Sequence, residues 1–331
     1  MKAIIMTGTG PCDRLQLQEI ADPAIQAPGQ IKVRIRAAGV NPIDTKLRSR
    51  GLLYPDALPA ILGCDGAGEV VETGPDVDRF KPGDKVWFCH GGLGADQGNY
   101  AEYRVIDQQF ARAMPASLDF ETAAAGPLAL ITAWEALFDR ARLSEGQTVL
   151  IHAGAGGVGH LAIQLAKIRG ARVLTTVSHA EKAHFVQELG ADEAILYTQH
   201  DFAAQVNELT GGRGADVVFD TVGPEVFKQS IPCTAHYGDL VTILDPGEGV
   251  VFKEARNRNL RISLTFMLAP HLRHLPEALA HQGEILDQCA RWIDAGRLRI
   301  AVSKHFPLER AAEAHRMIEE GHATGKIVLV P

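Results

Sequence analysis

A glycine-rich turn between two apolar segments constrains the fold of this chain more than any other feature. Thr148–Ile151 is a short β-branched run, as expected of a buried parallel strand. A helical apolar face and a second apolar strand, Ala171 to Val177, follow the turn. This strand–turn–helix–strand order is the context that the Gly-x-Gly-x-x-Gly dinucleotide-binding signature requires. The turn itself consists of Gly154, Ala155, Gly156, Gly157, Val158 and Gly159.

Each glycine of the signature has an expected role. Gly154 is predicted to permit the tight bend, Gly156 to let the backbone approach a pyrophosphate, and Gly159 to let the helix pack on the strand. The N-terminus of the helix would offer unpaired N–H groups and a partial positive charge to the phosphates. An empty structural turn is the alternative, because glycine-rich turns are common.

The end of the second strand indicates which nucleotide binds. An NAD site usually has an acidic residue there, which contacts the ribose 2′-hydroxyl. Here the strand ends at Ser178, with His179 and Lys182 following, and Glu181 is the only acid nearby. Ser178 and Lys182 can bind a 2′-phosphate, which an acid would repel, so the sequence predicts NADP(H). Alternatively, Lys182 is a solvated residue at a helix start.

Composition narrows the class of protein. The chain has 331 residues and a net charge of −7, with no basic run, which argues against nucleic acid and anionic membranes as partners. No apolar stretch approaches the length of a membrane span, and no signal peptide is evident. The five cysteines are scattered, which predicts a reduced, cytoplasmic protein without a disulfide framework.

Two kinds of pattern divide the chain. Up to about residue 123, short strands alternate with Gly/Pro turns, as in a barrel-like β domain. Residues 118–142 are predicted to be largely helical, and six strands then alternate with helices, as in a doubly wound parallel sheet. Helices are predicted at 285–295 and 306–319, and the last strand, Lys326–Val330, is expected to return to the first domain. The first-domain strands are predicted at 2–6, 15–19, 31–38, 66–73, 85–89, 101–106 and 111–114, and those of the parallel sheet at 148–151, 172–177, 193–197, 215–220, 239–244 and 260–265.

Several motifs together resemble the medium-chain dehydrogenase/reductase superfamily, most closely its zinc-independent quinone oxidoreductase branch, which includes ζ-crystallin. The resemblance runs nearly end to end. It implies an α/β fold: a GroES-like β-barrel catalytic domain at 1–123 and 268–331, a Rossmann NADP(H)-binding domain at 124–267, and usually a homodimer. The motifs are Ala-Ala-Gly-Val-Asn-Pro-Ile-Asp ending at Asp44, Leu-Gly-Cys-Asp-Gly-Ala-Gly from Leu62, Lys-Pro-Gly-Asp-Lys-Val from Lys81, Asn-Tyr-Ala-Glu-Tyr from Asn99, the glycine-rich turn, Gly-Ala-Asp-Val-Val-Phe-Asp from Gly214 and Gly-Lys-Ile-Val-Leu from Gly325.

The zinc alcohol dehydrogenases of that superfamily carry metal ligands at positions where this chain differs. They have Cys and His-Glu where this chain has Asn41 and Cys64-Asp65, and a further ligand near residues 127–129, here Pro-Leu-Ala. A catalytic zinc needs three protein ligands. The expectation is therefore a metal-free site, with Cys64 as a small core residue.

The resemblance also implies site residues. Asn41 is the leading candidate to donate a hydrogen bond to the substrate or to position the nicotinamide carboxamide; a turn-forming Asn before Pro42 is the alternative. Tyr54 and Lys46 are expected on the following loop, near the substrate. Lys46 stands at a position where that branch often has Tyr. The alternative for Lys46 is a solvated surface charge. His90 is expected on a substrate-side loop, as a general acid or simply solvated. Cofactor contacts are expected from Thr132, Tyr197 (near the 2′-phosphate), Val222, Leu244, Phe266 and Lys326; plain packing is the alternative for each.

These features predict an NADPH-dependent reductase of quinones or α,β-unsaturated carbonyls. Without a Lewis acid, an acceptor that delocalises the incoming charge as a phenolate or enolate needs only a hydrogen-bond donor and a dry cleft. A zinc-dependent alcohol dehydrogenase and a non-catalytic NADPH-binding protein, crystallin-like or regulatory, are the alternatives. The sequence does not specify the physiological acceptor.

Overall fold

The computed structural model describes residues 1–54, 56–321 and 323–331. They form two compact units: Met1–Leu128 together with Pro270–Pro331, and Ala129–Ala269. After the roles expected from the sequence, we call these the catalytic unit and the nucleotide unit and describe each by itself. The domain limits given above from the sequence stay a prediction.

The strands fall close to the runs that alternation and β-branched residues indicate. In chain order they are β1 Lys2–Met6, β2 Leu15–Glu19, β3 Gln30–Val40, β4 Ala60–Ile61, β5 Asp65–Thr73, β6 Lys85–Cys89, β7 Tyr103–Asp107, β8 Arg112–Ala113, β9 Thr148–Ile151, β10 Arg172–Val177, β11 Glu193–Leu196, β12 Ala215–Asp220, β13 Thr234–Thr242, β14 Arg261–Leu264, β15 Val302–Pro307 and β16 Lys326–Val330.

The helices cover the intervening segments. They are α1 Pro42–Arg50, α2 Phe120–Ala124, α3 Pro127–Trp134, α4 Gly159–Ile168, α5 Ala180–Glu188, α6 Phe202–Leu209, α7 Pro224–Ser230, α8 Lys253–Asn257, α9 Ala269–Arg273, α10 Pro276–Asp294 and α11 Ala311–Glu319, with a π-helical segment at Glu135–Arg140 and short 3₁₀ turns at Cys12–Arg14, Gln108–Phe110, Ile231–Cys233 and Leu308–Arg310.

The catalytic unit is built on two sheets. One has the order β2-β1-β4, and the other the order β15-β16-β3-β5-β6-β8, with β7 also paired to β3. Alternate residues of β3, namely Ile31, Val33 and Ile35, point into a core with apolar residues of β5, β6 and β7. The C-terminal strand β16 pairs antiparallel with the end of β3, Ile327 opposite Val40. This pairing brings Lys326 next to Asn41.

The nucleotide unit contains a six-stranded parallel sheet in the order β11-β10-β9-β12-β13-β14. Strand β9 is central and fully buried, as its run of Thr, Val, Leu and Ile predicts. The strand order reverses between β9 and β12, and the carboxyl ends beside such a switch point are where doubly wound sheets bind ligands. The sheet confirms the predicted α/β class and its doubly wound parallel half.

Several predicted boundaries are wrong. The helix expected at 285–295 begins at Pro276 and runs through nearly twice as many residues. The helix expected from Phe306 begins only at Ala311, because Phe306 belongs to β15 and pairs with Leu329. Strand β13 begins at Thr234 rather than 239. In the first domain, the strand expected at 101–106 lies at Tyr103–Asp107. At Phe306, tertiary pairing overrides local helix propensity.

None of the helices in the described part of the chain is long and apolar enough to cross a lipid bilayer. All five cysteines are buried and unpaired, as expected from their spacing.

Candidate cofactor and catalytic sites

The glycine-rich turn joins β9 to α4 in the nucleotide unit. Helix α4 begins at Gly159, with Val158 as its N-cap residue. No described oxygen accepts a hydrogen bond from the backbone N–H groups of Gly157 or Val158. Unpaired N–H groups at the start of a ten-residue helix suit a phosphate, because they add to the positive end of the helix dipole. The turn therefore fits a pyrophosphate.

The glycines are needed for close contacts. A Cβ on Gly159 would lie 2.3 Å from the carbonyl oxygen of Ala153, and one on Gly154 would lie 2.0 Å from Thr175 Oγ1. A Cβ on Gly156 would meet only the Ala153 oxygen, at 3.1 Å, so its outer side stays open. The positive φ of the turn, +50°, lies at Ala153, and Gly154 is required for its close contact with β10.

The tip of β10 carries the residues expected to bind a 2′-phosphate. Ser178 is partly buried, and its carbonyl accepts a hydrogen bond from Thr198 Oγ1 at 2.8 Å. His179 is the N-cap residue of α5 and pairs with Glu181, Nδ1 to Oε2 2.7 Å. Lys182, in the first turn of α5, is partly buried. The Lys182 ammonium, the Ser178 hydroxyl and the start of α5 are thus close together in sequence. Glu181 forms an ion pair with His179.

A cavity of about 680 Å³ opens at the carboxyl ends of β9, β10, β11 and β12. Tyr197 and Val222 both line it, and both side chains are about half exposed, at 52% and 48%. The start of α6 and part of α7 also line it. The cavity is large enough for the adenosine part of a dinucleotide, and it brings together two of the predicted cofactor residues.

His152, which the sequence analysis did not single out, supports this region. Ser230 Oγ donates to Val226 O, so it must accept a hydrogen bond from His152 Nε2, 2.9 Å away. Nδ1 then accepts from Thr176 Oγ1 at 3.2 Å. Burial lowers the pKa of His152 to about 3, which keeps the ring neutral. His152 therefore connects β9, β10 and α7 below the cofactor turn.

The other predicted cofactor residues of this unit lie apart from the cavity lining. Thr132 is a buried residue of α3. The Leu244 side chain packs near Gly223, 3.4 Å from where its Cβ would be. Phe266 follows β14 and is 48% exposed. Their roles toward a cofactor stay predictions.

In the catalytic unit, Asn41 is the N-cap residue of α1 rather than part of a simple turn. Asp44 Oδ2 accepts a hydrogen bond from the Asn41 backbone N–H at 2.8 Å, and the two residues form a capping box, with Pro42 at the first helical position. This corrects the predicted position of Lys46, which lies within α1 and not on a loop. The Asn-Pro-x-Asp spacing is the local signal for this helix start.

The Asn41 side chain is held between a cation and a carboxylate. Lys326 Nζ donates to Asn41 Oδ1, and it also lies 3.3 Å from the carbonyl oxygen of Val40. Asn41 Nδ2 donates to Asp65 Oδ2 at 2.9 Å, and Asp65 Oδ1 accepts from the backbone N–H of Leu128 at 2.8 Å. These partners fix the orientation of the amide: oxygen toward lysine, nitrogen toward aspartate. One amide N–H of Asn41 has no acceptor among the described residues.

Two further polar groups continue this cluster. Tyr100 donates its hydroxyl proton to Asp44 Oδ2 at 2.9 Å, so its oxygen must accept from His315 Nε2, 3.3 Å away. Tyr100, Asp44 and His315 are completely buried. Sequence reasoning missed Asp44, Tyr100 and His315 as site residues. Only the capping-box spacing of Asp44 could have indicated one of them.

Burial perturbs the charged groups of the cluster. It raises the pKa of Asp44 to about 7, despite hydrogen bonds from Asn41 and Tyr100 that favour the carboxylate. Burial also raises the pKa of Asp65 and lowers that of Lys326, while their mutual attraction acts the other way. Shifts of this kind in one cluster are typical of functional sites.

The residues of this cluster do not suit a catalytic zinc ion. Among the described residues, no group of three or more His, Cys, Asp and Glu side chains is arranged to hold a metal. The Lys326 ammonium also bonds the side chain of Asn41, where a cation would have to bind. Burial and the nearby Asp44 and Asp65 keep the pKa of the Cys64 thiol well above its ordinary value.

The remaining predicted catalytic residues lie at different places in this unit. Tyr54 packs near Gly94 of the glycine-rich 91–98 loop, its Cβ 3.2 Å from where a Cβ of Gly94 would be. Lys46 is partly buried, and burial followed by repulsion from Arg50 lowers its pKa. Neither residue bonds to the Asn41 cluster in the described part of the chain. Their catalytic roles stay predictions.

His90 is packed rather than solvated. Its imidazole stacks on Phe110 with ring centroids 4.0 Å apart, and Nδ1 lies 2.8 Å from Arg104 Nη2. Its backbone N–H donates to the carbonyl of Cys64 at 2.8 Å. The start of the glycine-rich loop is therefore attached to β5 next to Asp65.

Known proteins match both halves of the chain. Residues 27–116 match the family model of the alcohol dehydrogenase GroES-like domain, and residues 189–329 match the one described as zinc-binding dehydrogenase. A quinone oxidoreductase of Pseudomonas aeruginosa is 37% identical and the match covers 93% of each chain. A 2-haloacrylate reductase of Burkholderia sp is 34% identical, over 100% of this chain and 99% of the relative.

A solved structure agrees with these matches. The crystal structure of Escherichia coli quinone oxidoreductase complexed with NADPH has a TM-score of 0.88 and 31% identity, and the match covers 100% of both chains. Identity at this level over the full length, together with the GroES-like model and the parallel nucleotide-binding sheet, shows that the chain belongs to the quinone oxidoreductase branch of the medium-chain dehydrogenase/reductase superfamily.

Proposed function

We propose that this protein is an NADPH-dependent, metal-free oxidoreductase that reduces a quinone or an α,β-unsaturated carbonyl compound. The observation that carries the proposal is the Lys326–Asn41–Asp65 arrangement. A buried ammonium and a buried carboxylate hold one amide so that a single N–H remains available among the described residues. Such a site offers a hydrogen-bond donor and no Lewis acid, which suits an acceptor that delocalises its own charge.

The cofactor residues support NADPH as the reductant. When bound, NADPH supplies a hydride. The glycine-rich turn would hold its pyrophosphate through the N–H groups of Gly157 and Val158. Ser178 and Lys182 would bind the 2′-phosphate, and Tyr197 and Val222 would enclose the adenosine. A relative of the same fold has been crystallised with NADPH.

Asn41 would act on the acceptor. Its remaining N–H would donate to the carbonyl oxygen and stabilise the phenolate or enolate that forms there. Because the partners of both amide atoms are fixed, the donor is oriented before the substrate arrives, so reorganisation costs little. The nearby Lys326 charge adds electrostatic stabilisation of an anion. The proton that completes the product would come from water.

The proposal is tested by cofactor oxidation. NADPH and NADH are each supplied with a naphthoquinone and with a short enal, with and without a chelator. We expect turnover that prefers NADPH and is unaffected by the chelator. Loss of activity with the chelator would refute the metal-free site. Tight NADPH binding without turnover on either acceptor would instead favour the non-catalytic binding role.

A variant of Asn41 tests the role of the amide. Asn41→Ala should lower kcat by about 100-fold, the typical effect of losing one such donor. The matched control is Asn257→Ala, at an exposed position in α8, which should leave kcat unchanged. Unchanged kcat in Asn41→Ala, with NADPH binding intact, would refute the role of Asn41.

A homodimer is part of the same proposal. Strand β14 is an edge of the parallel sheet with no further strand paired to it in the described part of the chain, and the exposed side chains of Leu264 and Phe266 lie at its end. An exposed edge with apolar side chains favours pairing with another copy of the chain. Sedimentation velocity should give twice the monomer mass; a monomer at micromolar concentration would contradict it.

A further inference from the structure

His90 in the catalytic unit has a defined hydrogen-bonding state that the proposed function does not use. It follows β6 directly, and its backbone is tied to Cys64, the residue before Asp65. Asp65 in turn holds the Asn41 amide. His90 is therefore connected to the same cluster through two neighbouring strands.

The partner of Nδ1 fixes the tautomer. Arg104 Nη2 lies 2.8 Å from His90 Nδ1, and a guanidinium can only donate. Nδ1 must therefore accept, so it carries no proton, and the proton of the neutral ring is on Nε2. The only carboxylate paired with this nitrogen is Asp96, whose Oδ2 is 4.0 Å away, beyond hydrogen-bond distance in the described part of the chain. Within that part, the Nε2–H group is a donor without an acceptor.

The surroundings also hold the ring in place and keep it neutral. Phe110 stacks on one face, and the His271 ring meets His90 edge-on at 5.2 Å. The charged and titratable groups that face it, among the residues described, are Arg104 on β7, Asp96 on the loop and His271 on α9. Burial, then the Arg104 charge and His271, keep the pKa of His90 well below its ordinary value. Asp96 is the acid among these facing residues. Its side chain is 66% exposed, whereas that of His90 is 11% exposed, so the Asp96 charge is largely solvated.

We propose that His90 is a catalytic residue: its Nε2–H donates a hydrogen bond to an oxygen of the acceptor, as a neutral electrophile. Arg104 is a positioning residue, because its donated hydrogen bond selects the tautomer. This inference rests on the proposed function. It requires an acceptor with an oxygen atom that gains negative charge during the reaction. Quinones and conjugated carbonyl compounds have such an oxygen.

The chemistry balances without proton transfer from the ring. Hydride adds to a carbon of the acceptor, the C=C or C=O π electrons shift, and the electron pair comes to rest on oxygen. The hydrogen bond from His90 Nε2–H to that oxygen becomes stronger. The N–H bond itself does not break, because loss of this proton would give an imidazolate. The proton that neutralises the product comes from water. Neutral histidine is known to serve as an electrophile in this way in other enzymes.

The tautomer is tested first, and independently of turnover. Long-range ¹H–¹⁵N spectra of the full-length protein distinguish which ring nitrogen carries the proton. We expect the neutral Nε2–H form of His90 throughout the range from about pH 5.5 to pH 8, although an ordinary histidine titrates near pH 6.5. An Nδ1–H form, or an imidazolium that titrates in this range, would overturn the proposal.

Two variants test the role in catalysis. His90→Phe keeps a ring against Phe110 but has no donor, and His90→Gln keeps an N–H at similar reach. With the naphthoquinone we expect kcat to fall about 10- to 100-fold in His90→Phe, to recover to within a few-fold of wild type in His90→Gln, and KM for NADPH to stay unchanged in both. Equal kcat in wild type and His90→Phe would refute the inference.

The results separate this inference from the proposed function. Wild-type turnover with an unaffected His90→Phe variant defeats the inference alone. Absence of wild-type turnover on any oxygen-bearing acceptor defeats the function and, with it, the catalytic role of His90. If His90→Phe does not fold, the His90→Gln variant and the ring spectra decide: a more than tenfold loss of kcat in His90→Gln or a wrong tautomer counts against the proposal.

Discussion

Replacing Asp44 with asparagine should change how the stability of the protein depends on pH. Asp44 is completely buried, and burial raises its pKa to about 7 from an ordinary value of 3.8. Between these values the folded state keeps the proton and the unfolded state releases it. The folded protein thus binds more protons, and the free energy of unfolding must fall as pH rises through this range.

The magnitude follows from the shift. A difference of about three pKa units corresponds to about 4 kcal/mol at 1.36 kcal/mol per unit. This contribution is fully present below about pH 4 and is lost by about pH 7. The amide in the Asp44→Asn variant has no such titration, while its oxygen can still accept from the Asn41 backbone and from Tyr100, the partners of the wild-type carboxylate. Asp65 and Lys326 are present in both proteins, so their titrations cancel in the comparison.

The assay is urea unfolding of wild type and Asp44→Asn at about pH 5, 6, 7 and 8, without cofactor. Fluorescence of Trp87, which is completely buried in the catalytic unit, contributes to the signal of the relevant transition. We expect wild type to lose about 2.7 kcal/mol of stability relative to the variant over this range, because about two of the three pKa units lie between pH 5 and pH 7. Parallel pH dependence of the two proteins would refute the perturbed titration of Asp44.

Three further results are expected. Gly154→Val should destabilise the protein by about 1–3 kcal/mol in thermal unfolding, because its Cβ would lie 2.0 Å from Thr175 Oγ1; an unchanged Tm would contradict this contact. Lys182→Ala should reduce the preference for NADPH over NADH about tenfold, equivalent to about 1.4 kcal/mol, whereas the control Lys228→Ala, which removes a surface ion pair with Glu225, should not; equal preferences in both variants would exclude Lys182 from the 2′-phosphate site. Lys326→Met should cost about 3–5 kcal/mol in urea unfolding, because it removes the cation whose charge offsets that of the buried Asp65; a neutral effect would mean that the carboxylates are already protonated at neutral pH.

The nucleotide unit was largely predictable because its signals are local. A β-branched run, a spaced set of glycines and a 3.6-residue apolar repeat each act within about thirty residues, and the fold class follows from their alternation. The failures lie where partners are distant in sequence. Phe306 belongs to a strand because of β16, although its neighbours favour helix.

The candidate catalytic cluster was predictable in two of its members. Resemblance singled out Asn41 and Lys326, but nothing near Asn41 in sequence indicates that Lys326 lies beside it, since these residues are brought together by the pairing of β16 with β3. The same holds for Tyr100 and His315, on a loop and a C-terminal helix. Lys46 was misplaced because an Asn-Pro pair favours turns, whereas Asp44 completes a capping box and starts a helix.

The sequence by itself determined the fold class and the glycine-rich turn, because residue type and short spacing suffice for both. The tertiary structure decided which charges neutralise one another, which amide hydrogen of Asn41 stays available and which nitrogen of His90 carries the proton. These properties depend on distances of about 3 Å between groups far apart in the chain, and hydrogen-bond direction and burial, unlike residue type, exist only once the chain has folded.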